Sequence, residues 1–327
     1  MDALWRFVGM LRGLLLRRPL GLCDIGDLDG MVCAALFKIR YPEGVVVFAS
    51  PRDVNRSWLI KRVRWEFVGD LPCPGKARIR ADHHETNEPC ADIEFYDPKA
   101  PAAAVMALKA LNLEGDKRAL DLVSYAVETD TANIVTKQAK VFNAATKGAS
   151  YREKVRLAEI LASKGAEAIL DPFVVKCAER YYGVQRLTED LAERIEVSPE
   201  TLVVFEKNLG LSYRYLCILL ERKGAEFTCV LVPRGLFGIR AYIGAKHGSK
   251  YDSAELAARL GGGGHQYAAG ALVTAFPRNK ALVLVLNVVA DYLKRDSIDL
   301  YYVDGSLEVR RGVYSKSTGS LDIRRVS

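Results

Sequence analysis

The sequence predicts an α/β protein: an N-terminal, doubly wound and mainly parallel sheet, then a smaller C-terminal α/β domain, with the active-site cleft between them. Three observations carry this. Short, continuous apolar runs alternate with helical stretches over the first part of the chain, the pattern of buried parallel strands and their crossovers. Those runs end in carboxylates, at Asp27 and Asp29, at Asp70 and at Asp82, which a doubly wound sheet would gather along one edge. From Ser198 the pattern changes to paired strands and short helices. The expected domains are therefore 1–190, with a linking helix at its end, and 191–327.

Taken in order, residues 4–18 read as a helix that packs on the core and leads into the first strand. Arg6 and Arg12 interrupt its apolar run, so a secretory signal is not expected, and a membrane-surface helix is the lesser reading. Leu20, Leu22 and Ile25 form a strand-like entry, Asp27, Asp29 and Gly30 punctuate it, and 31–39 continues as a helix. Residues 44–49 and 65–69 are further buried strands, and 78–81 is a fourth. Between the second and third, 50–64 carries five Arg or Lys residues and reads as a solvated basic face. Helices are expected over 102–111, 120–128, 151–163 and 173–196. In the second domain 201–205 is a strand, 213–222 a helix, and 226–232 and 236–243 are paired strands. A helix over 253–260 runs into the glycine run 261–264, followed by a strand over 270–276 and a helix over 280–293. Asp304-Gly305 signals a tight type I′ hairpin within 299–311, and no order is expected beyond Gly312.

Composition narrows the class. At 327 residues the chain can bury sizeable cores, and a hydrophobic fraction of 50% is that of an ordinary globular protein. A net charge of +7 suits a phosphate-bearing substrate without demanding one. Seven scattered cysteines with no C-x-x-C pair argue against a disulfide framework or a zinc knuckle and favour a reducing cytoplasm. No segment reaches the roughly 18–20 uninterrupted apolar residues of a transmembrane helix, and no membrane partner is expected.

Asp27 and Asp29 stand where a strand gives way to a helix, placed either to hold a divalent metal or to cap that helix. Asp82-His83-His84 follows a strand directly and holds two of only four histidines. Imidazole with carboxylate suits manganese, zinc or iron better than magnesium. Asp130, in the run 128–131, ends a predicted helix. Carboxylates gathered in one cleft repel each other, and a pair of metal ions relieves that cost. In the second domain, Gly262, Gly263 and Gly264 before His265 could cradle an anion with their N–H groups, or simply end a helix.

D-x-D-G at 27–30, the strand-ending Asp70, D-H-H at 82–84, T-D-T at 129–131 and G-G-G-G-H at 261–265 occur in that order. The set resembles the DHH phosphoesterases with their DHH-associated C-terminal domain, over roughly 20–276. The resemblance implies hydrolysis of phosphate esters with two divalent ions, manganese first and magnesium or cobalt next. It implies that Asp27 binds the first ion, Asp70 bridges both, and Asp29, His84 and Asp130 hold the second. His83 would stand beside the phosphate, within the catalytic Asp82-His83 pair, while Gly262, Gly263, Gly264, His265 and Arg240 would grip substrate. The implied partners are short single-stranded RNA or DNA, or small phosphorylated nucleotides; a homodimer is left open.

This chain departs from the family pattern at one place. The first ion normally has a further ligand ahead of the D-x-D, where Ile25 and Cys23 stand here. Cys23 as a thiolate, or Asp24 by a shift, could replace it, and strand alternation gives Cys23 the better direction. The first site is therefore expected to be the weaker. Two other readings share these residues: a catalytically impaired, RecJ-like protein that binds nucleic acid or a replication partner, and a phosphatase for nucleotides of the pAp type.

Overall fold

In a computed structural model, described for residues 2–85 and 87–324, the chain divides into two compact units, Met1–Tyr182 and Gly183–Ser327. The first is built on strands β1 (Leu20–Asp24), β2 (Val45–Ala49), β3 (Trp65–Gly69), β4 (Ala77–Asp82) and β5 (Ala91–Tyr96). All pair in parallel, in the order β2-β1-β3-β4-β5. Strand order reverses between β1 and β3, so the crevice beyond their carboxyl ends is the place such sheets reserve for ligands. The apolar run of β1 is buried throughout because both faces of the sheet are covered.

On one face lie α2 (Leu28–Arg40), α5 (Ala103–Ala110), α6 (Lys117–Asp130), α7 (Lys137–Gly148) and α8 (Tyr151–Lys164), which share a single core with the sheet. On the other, Met10 of α1 (Asp2–Leu15), Val54 of α3 (Pro51–Arg56) and Ile60 of α4 (Trp58–Arg62) pack over Leu22, Val47 and Trp65. The segment read as a solvated basic face is thus two short helices that bury one residue each. The first helix leads into β1 as expected, but it buries Arg6, Met10 and Gly13 and turns its leucines outward. Arg6 explains the orientation: its guanidinium bonds the Phe48 carbonyl and the Asp53 carboxylate beneath the helix.

The second unit, which α9 (Pro172–Glu193) enters, holds an eight-stranded mixed sheet in the order β13-β12-β11-β6-β7-β8-β10-β9. Its strands are β6 (Glu200–Phe205), β7 (Phe227–Arg234), β8 (Gly238–Ala245), β9 (Gly263–His265), β10 (Ala268–Thr274), β11 (Ser297–Val303), β12 (Val309–Ser315) and β13 (Ser320–Arg324). One face carries α10 (Tyr213–Arg222), and the other α11 (Ser253–Arg259) and α12 (Arg278–Leu293).

Three expectations are corrected here. The hairpin of β11 and β12 is present, but its loop is wider than a type I′ turn, closed by the Asp304 N–H on the Glu308 carbonyl. The chain beyond Gly312 is ordered, because β12 continues and β13 pairs with it. Cys73 and Cys90 form a disulfide. They lie in the loops before β4 and before β5, which parallel pairing brings to the same end of the sheet, 5.8 Å apart at Cα. Seventeen residues of separation left no spacing signal, and cysteine usage no longer speaks for a reducing compartment.

Candidate functional site

Carboxylates from β1, β3 and β4 and the helices after them converge at the switch point. Asp27 is the N-cap of α2, its Oδ1 accepting from the Asp29 and Gly30 N–H groups at 3.0 and 3.2 Å. Gly30 is required there, since a Cβ would lie 2.4 Å from the Asp24 carbonyl oxygen. The capping reading of Asp27 holds, and because it uses one oxygen it leaves the other for a ligand. Asp29 is buried and accepts from the Ala103 and Ala104 N–H groups at 2.6 and 2.8 Å, so it caps α5 from across the core. Burial pushes its pKa to about 7 in spite of those bonds, with Asp130 and Asp27 adding repulsion. Burial likewise lifts Asp24 to about 6, although the Gly26 N–H bonds its Oδ2.

Asp70 is the centre of the cluster. It is only 5% exposed, and its Oδ1 has no hydrogen-bond partner among the described residues. Its φ of 59° lies in the left-handed region, where a non-glycine residue is strained. Burial drives its pKa well up, and Asp29, Asp27, Asp24 and Asp82 push in the same direction. An unpartnered, strained carboxylate among like charges is a poor structural residue and a good cation ligand.

The two histidines are held differently. His83 donates from Nδ1 to the Ala100 carbonyl at 3.0 Å, which leaves Nε2 facing Asp130 at 3.6 Å and Asp29 at 3.9 Å. His84 donates from Nδ1 to Asp82 at 3.0 Å and stands 3.5 Å from Asp70; the Asp82 bond is the main reason its pKa rises. Asp82 itself is fully buried and uses both oxygens: Oδ1 on His84, Oδ2 on Arg80 at 2.9 Å and Asn87 at 2.7 Å. Those bonds overcome its burial and hold its pKa below the ordinary carboxylate value. Arg80 is buried between Asp82, Glu94 and the Leu71 carbonyl.

Three groups can offer a metal one ligand atom per residue within 4.8 Å: Asp24, Asp27 and Asp70; Asp70, His83 and His84; Asp29, His83 and Asp130. Asp70 and His83 each belong to two of them. Two placements differ from the sequence expectation. His84 groups with Asp70 and His83, not with Asp29 and Asp130. Asp24, not Cys23, joins Asp27: β1 ends at Asp24, so strand alternation does not extend to Asp27. Cys23 is 0% exposed in the core, where burial drives its thiol pKa well up. The donors are oxygen and imidazole, and the orphaned Asp70 oxygen fits a divalent cation of the manganese or magnesium kind.

Arg80, Asn87 and Lys154 escaped the sequence reading. Lys154 of α8 is buried and donates to the Ile25 carbonyl, within the field of Asp24 and Asp27. Its place in the middle of a helix gave no signal. In the second unit the glycine run is divided: Gly261 and Gly262 end α11, their N–H groups on the Ala258 and Ala257 carbonyls, and Gly263–His265 is the edge strand β9, paired with β10. Gly262 and Gly264 are needed for that approach, since a Cβ would lie 2.2 Å from the Gly270 carbonyl oxygen and 2.4 Å from the Ala269 Cα. Gly263 and His265 are exposed. Arg240 lies over the Tyr242 ring, 5.6 Å from its centroid, and makes no ion pair among the described residues.

No family model and no curated protein matches the sequence. Solved structures do. The pGpG-specific phosphodiesterase PggH of Vibrio cholerae superposes with a TM-score of 0.58 at 19% identity, over 84% of this chain and 99% of its own. An exonuclease RecJ bound to manganese gives 0.59 at 13%, over 85% and 90%. The manganese complex of RecJ from Thermus thermophilus gives 0.52 at 14%, over 98% and 66%. The chain has the fold of these DHH-domain proteins.

Proposed function

We propose that this chain, with its DHH-type fold, is a metal-dependent phosphodiesterase that hydrolyses short single-stranded oligonucleotides. The observation that carries the reading is Asp70, buried and strained among like charges, with its Oδ1 lacking a hydrogen-bond partner among the described residues, a combination that a bound cation relieves. Asp24, Asp27 and Asp70 would hold one divalent ion, and, as the family resemblance implies, Asp29, His84 and Asp130 with Asp70 a second, manganese being the first choice. When bound, such ions supply a water acidic enough to attack near neutral pH and share the charge that develops on the phosphate. The chain's own groups do the rest. Asp82 orients the His84 imidazole, and Arg80 and Asn87 keep that carboxylate charged and in place. His83, anchored through Nδ1, has Nε2 free to stand beside the phosphate and, when the ring carries a second proton there, to pass it to the leaving oxygen and return to the neutral imidazole. Arg240 and His265 are assigned to the substrate's phosphate and base.

The substrate class draws support from PggH, named for a dinucleotide diester, and from RecJ, named as an exonuclease. The non-catalytic reading drew on the missing ligand at Cys23 and Ile25; Asp24 beside Asp27 and Asp70 favours catalysis. Purified protein with manganese, offered RNA and DNA from dinucleotides to long strands together with pAp and cyclic dinucleotides, tests the proposal. Release of mononucleotides from the shortest oligomers should dominate. Preferential cutting of long strands, or turnover of pAp alone, would overturn the substrate assignment, and no turnover of any of them would overturn the activity.

A further inference from the structure

The second unit carries an aromatic cluster that the proposed chemistry does not use. Phe237, in the turn between β7 and β8, is 49% exposed; Phe276, at the corner between β10 and α12, is 76% exposed. Their ring centroids are 5.7 Å apart, tilted by 58°, and Leu236 beside them is 78% exposed. Their backbone is tied down: Gly238 pairs with Thr274, the Ala275 N–H bonds the Phe237 carbonyl at 2.9 Å, and Arg278 reaches the Gly235 carbonyl. Two aromatic faces presented to water on a fixed strand pair expose apolar area with no structural return.

The charge around them points to the ligand. No Asp or Glu occurs between Glu226 and Asp252, or between Glu255 and Asp291, whereas Arg234, Arg240, Arg278 and Lys280 all fall in those stretches. Arg234 is exposed, stands opposite Gly238 in the β7–β8 register, and has no carboxylate partner among the described residues. Arg278 has none either, though it lines a small depression with Glu206. Leu272 sits between the cluster and Arg240: it pairs with Arg240 in register and packs at Gly238. Two residues of strand, roughly 7 Å, separate Arg240 from Gly238. Aromatic rings for bases and guanidiniums without a carboxylate partner for phosphates, on stretches of sequence that carry no Asp or Glu, match the composition of a sequence-tolerant single-strand site.

Resting on the substrate reading above, we infer that Phe237 and Phe276, flanked by Arg234, form a stacking site for unpaired bases of single-stranded nucleic acid, continuous with Arg240. Fluorescence anisotropy with end-labelled heptamers of RNA and DNA, in EDTA so that binding is read without hydrolysis, tests it. Replacing both rings (Phe237→Ala with Phe276→Ala) should weaken heptamer binding about tenfold. Phe276→Leu, which keeps apolar bulk and removes the π face, should lose affinity as well. Hydrolysis of a dinucleotide with manganese should be unchanged in all of them, so failure of the stacking site is separable from failure of the proposed activity. Equal heptamer affinity in wild type and double variant would overturn the inference, and so would full retention by Phe276→Leu. A dimer that the double variant converts to monomer, with heptamer affinity unchanged, would identify the patch as a self-association surface and overturn it too.

Discussion

At the scale of single residues, the site trades stability for the capacity to bind cations. Asp70→Asn keeps the side-chain shape and tolerates the left-handed backbone while removing one buried charge. It should abolish manganese binding in calorimetry and hydrolysis together, yet raise the metal-free protein's stability by roughly 1–2 kcal/mol, because the repulsion from Asp24, Asp27 and Asp29 is gone. A melting temperature that falls would mean Asp70 has a structural partner. The pH dependence has a definite sign. Asp24 and Asp29 titrate in the folded, metal-free chain at about 6 and about 7, above the ordinary carboxylate value. Their contribution to stability is complete below the unfolded-state pKa near 4 and is lost as pH rises through 6 and 7. The metal-free melting temperature should therefore fall between pH 5 and pH 8, and saturating manganese should flatten the curve. Scanning calorimetry with and without EDTA would read both.

Among the elements, the Cys73–Cys90 disulfide closes the loop that contains β4 and the D-H-H residues. Cross-linking a loop of this size removes about 3 kcal/mol of unfolded-state entropy. Reduction should lower the melting temperature by several degrees and loosen amide protection at His83, His84, Asn87 and Cys90 before the rest of the unit. Unchanged protection there would show that the pairing of β4 with β5 holds the segment unaided. In the second unit the glycines of β9 divide by role. Gly264→Ala, at φ 149° and with a Cβ 2.4 Å from Ala269, should destabilise the unit by about 2 kcal/mol or more, while Gly263→Ala, with open space around it, should leave stability unchanged. Urea denaturation of the two variants distinguishes a strand that needs glycine for packing from one that needs it for a ligand.

Across the whole molecule, the positive charge is unevenly spread along the sequence. The acid-free stretches of the second unit carry unpaired arginines, whereas the carboxylates of the first unit cluster at the strand ends. Substrate binding should therefore weaken with salt through release of counterions, while chemistry at the metal site does not. The Michaelis constant for a single-stranded heptamer should rise with potassium chloride and kcat stay level; a fall in kcat alone would place the salt effect at the metal cluster.

The sequence by itself named candidate residues for the chemistry. Asp27, Asp29, Asp70 and His84 stood at or just past the ends of apolar runs, which a parallel sheet brings to one edge whatever its details, and Asp130 at the end of a helix. Alternating apolar strands and helical segments likewise specified the α/β class, because those patterns reflect which faces must leave water. Tertiary structure alone decided the rest, where a residue's meaning depends on neighbours distant in the chain. Asp24 joins Asp27 because β1 stops at Asp24, three residues short of Asp27, so alternation does not set Cys23 in its place. Asp29 caps a helix that begins 74 residues later. Arg80 and Lys154 read as ordinary strand and helix residues until packing set their charges beside Asp82 and beside the turn at Ile25. The second half of the glycine run became a strand only because β10 was there to pair with it. Local pattern records the preference of a segment for water or core; partners across the fold are set by packing, which no short window of sequence contains.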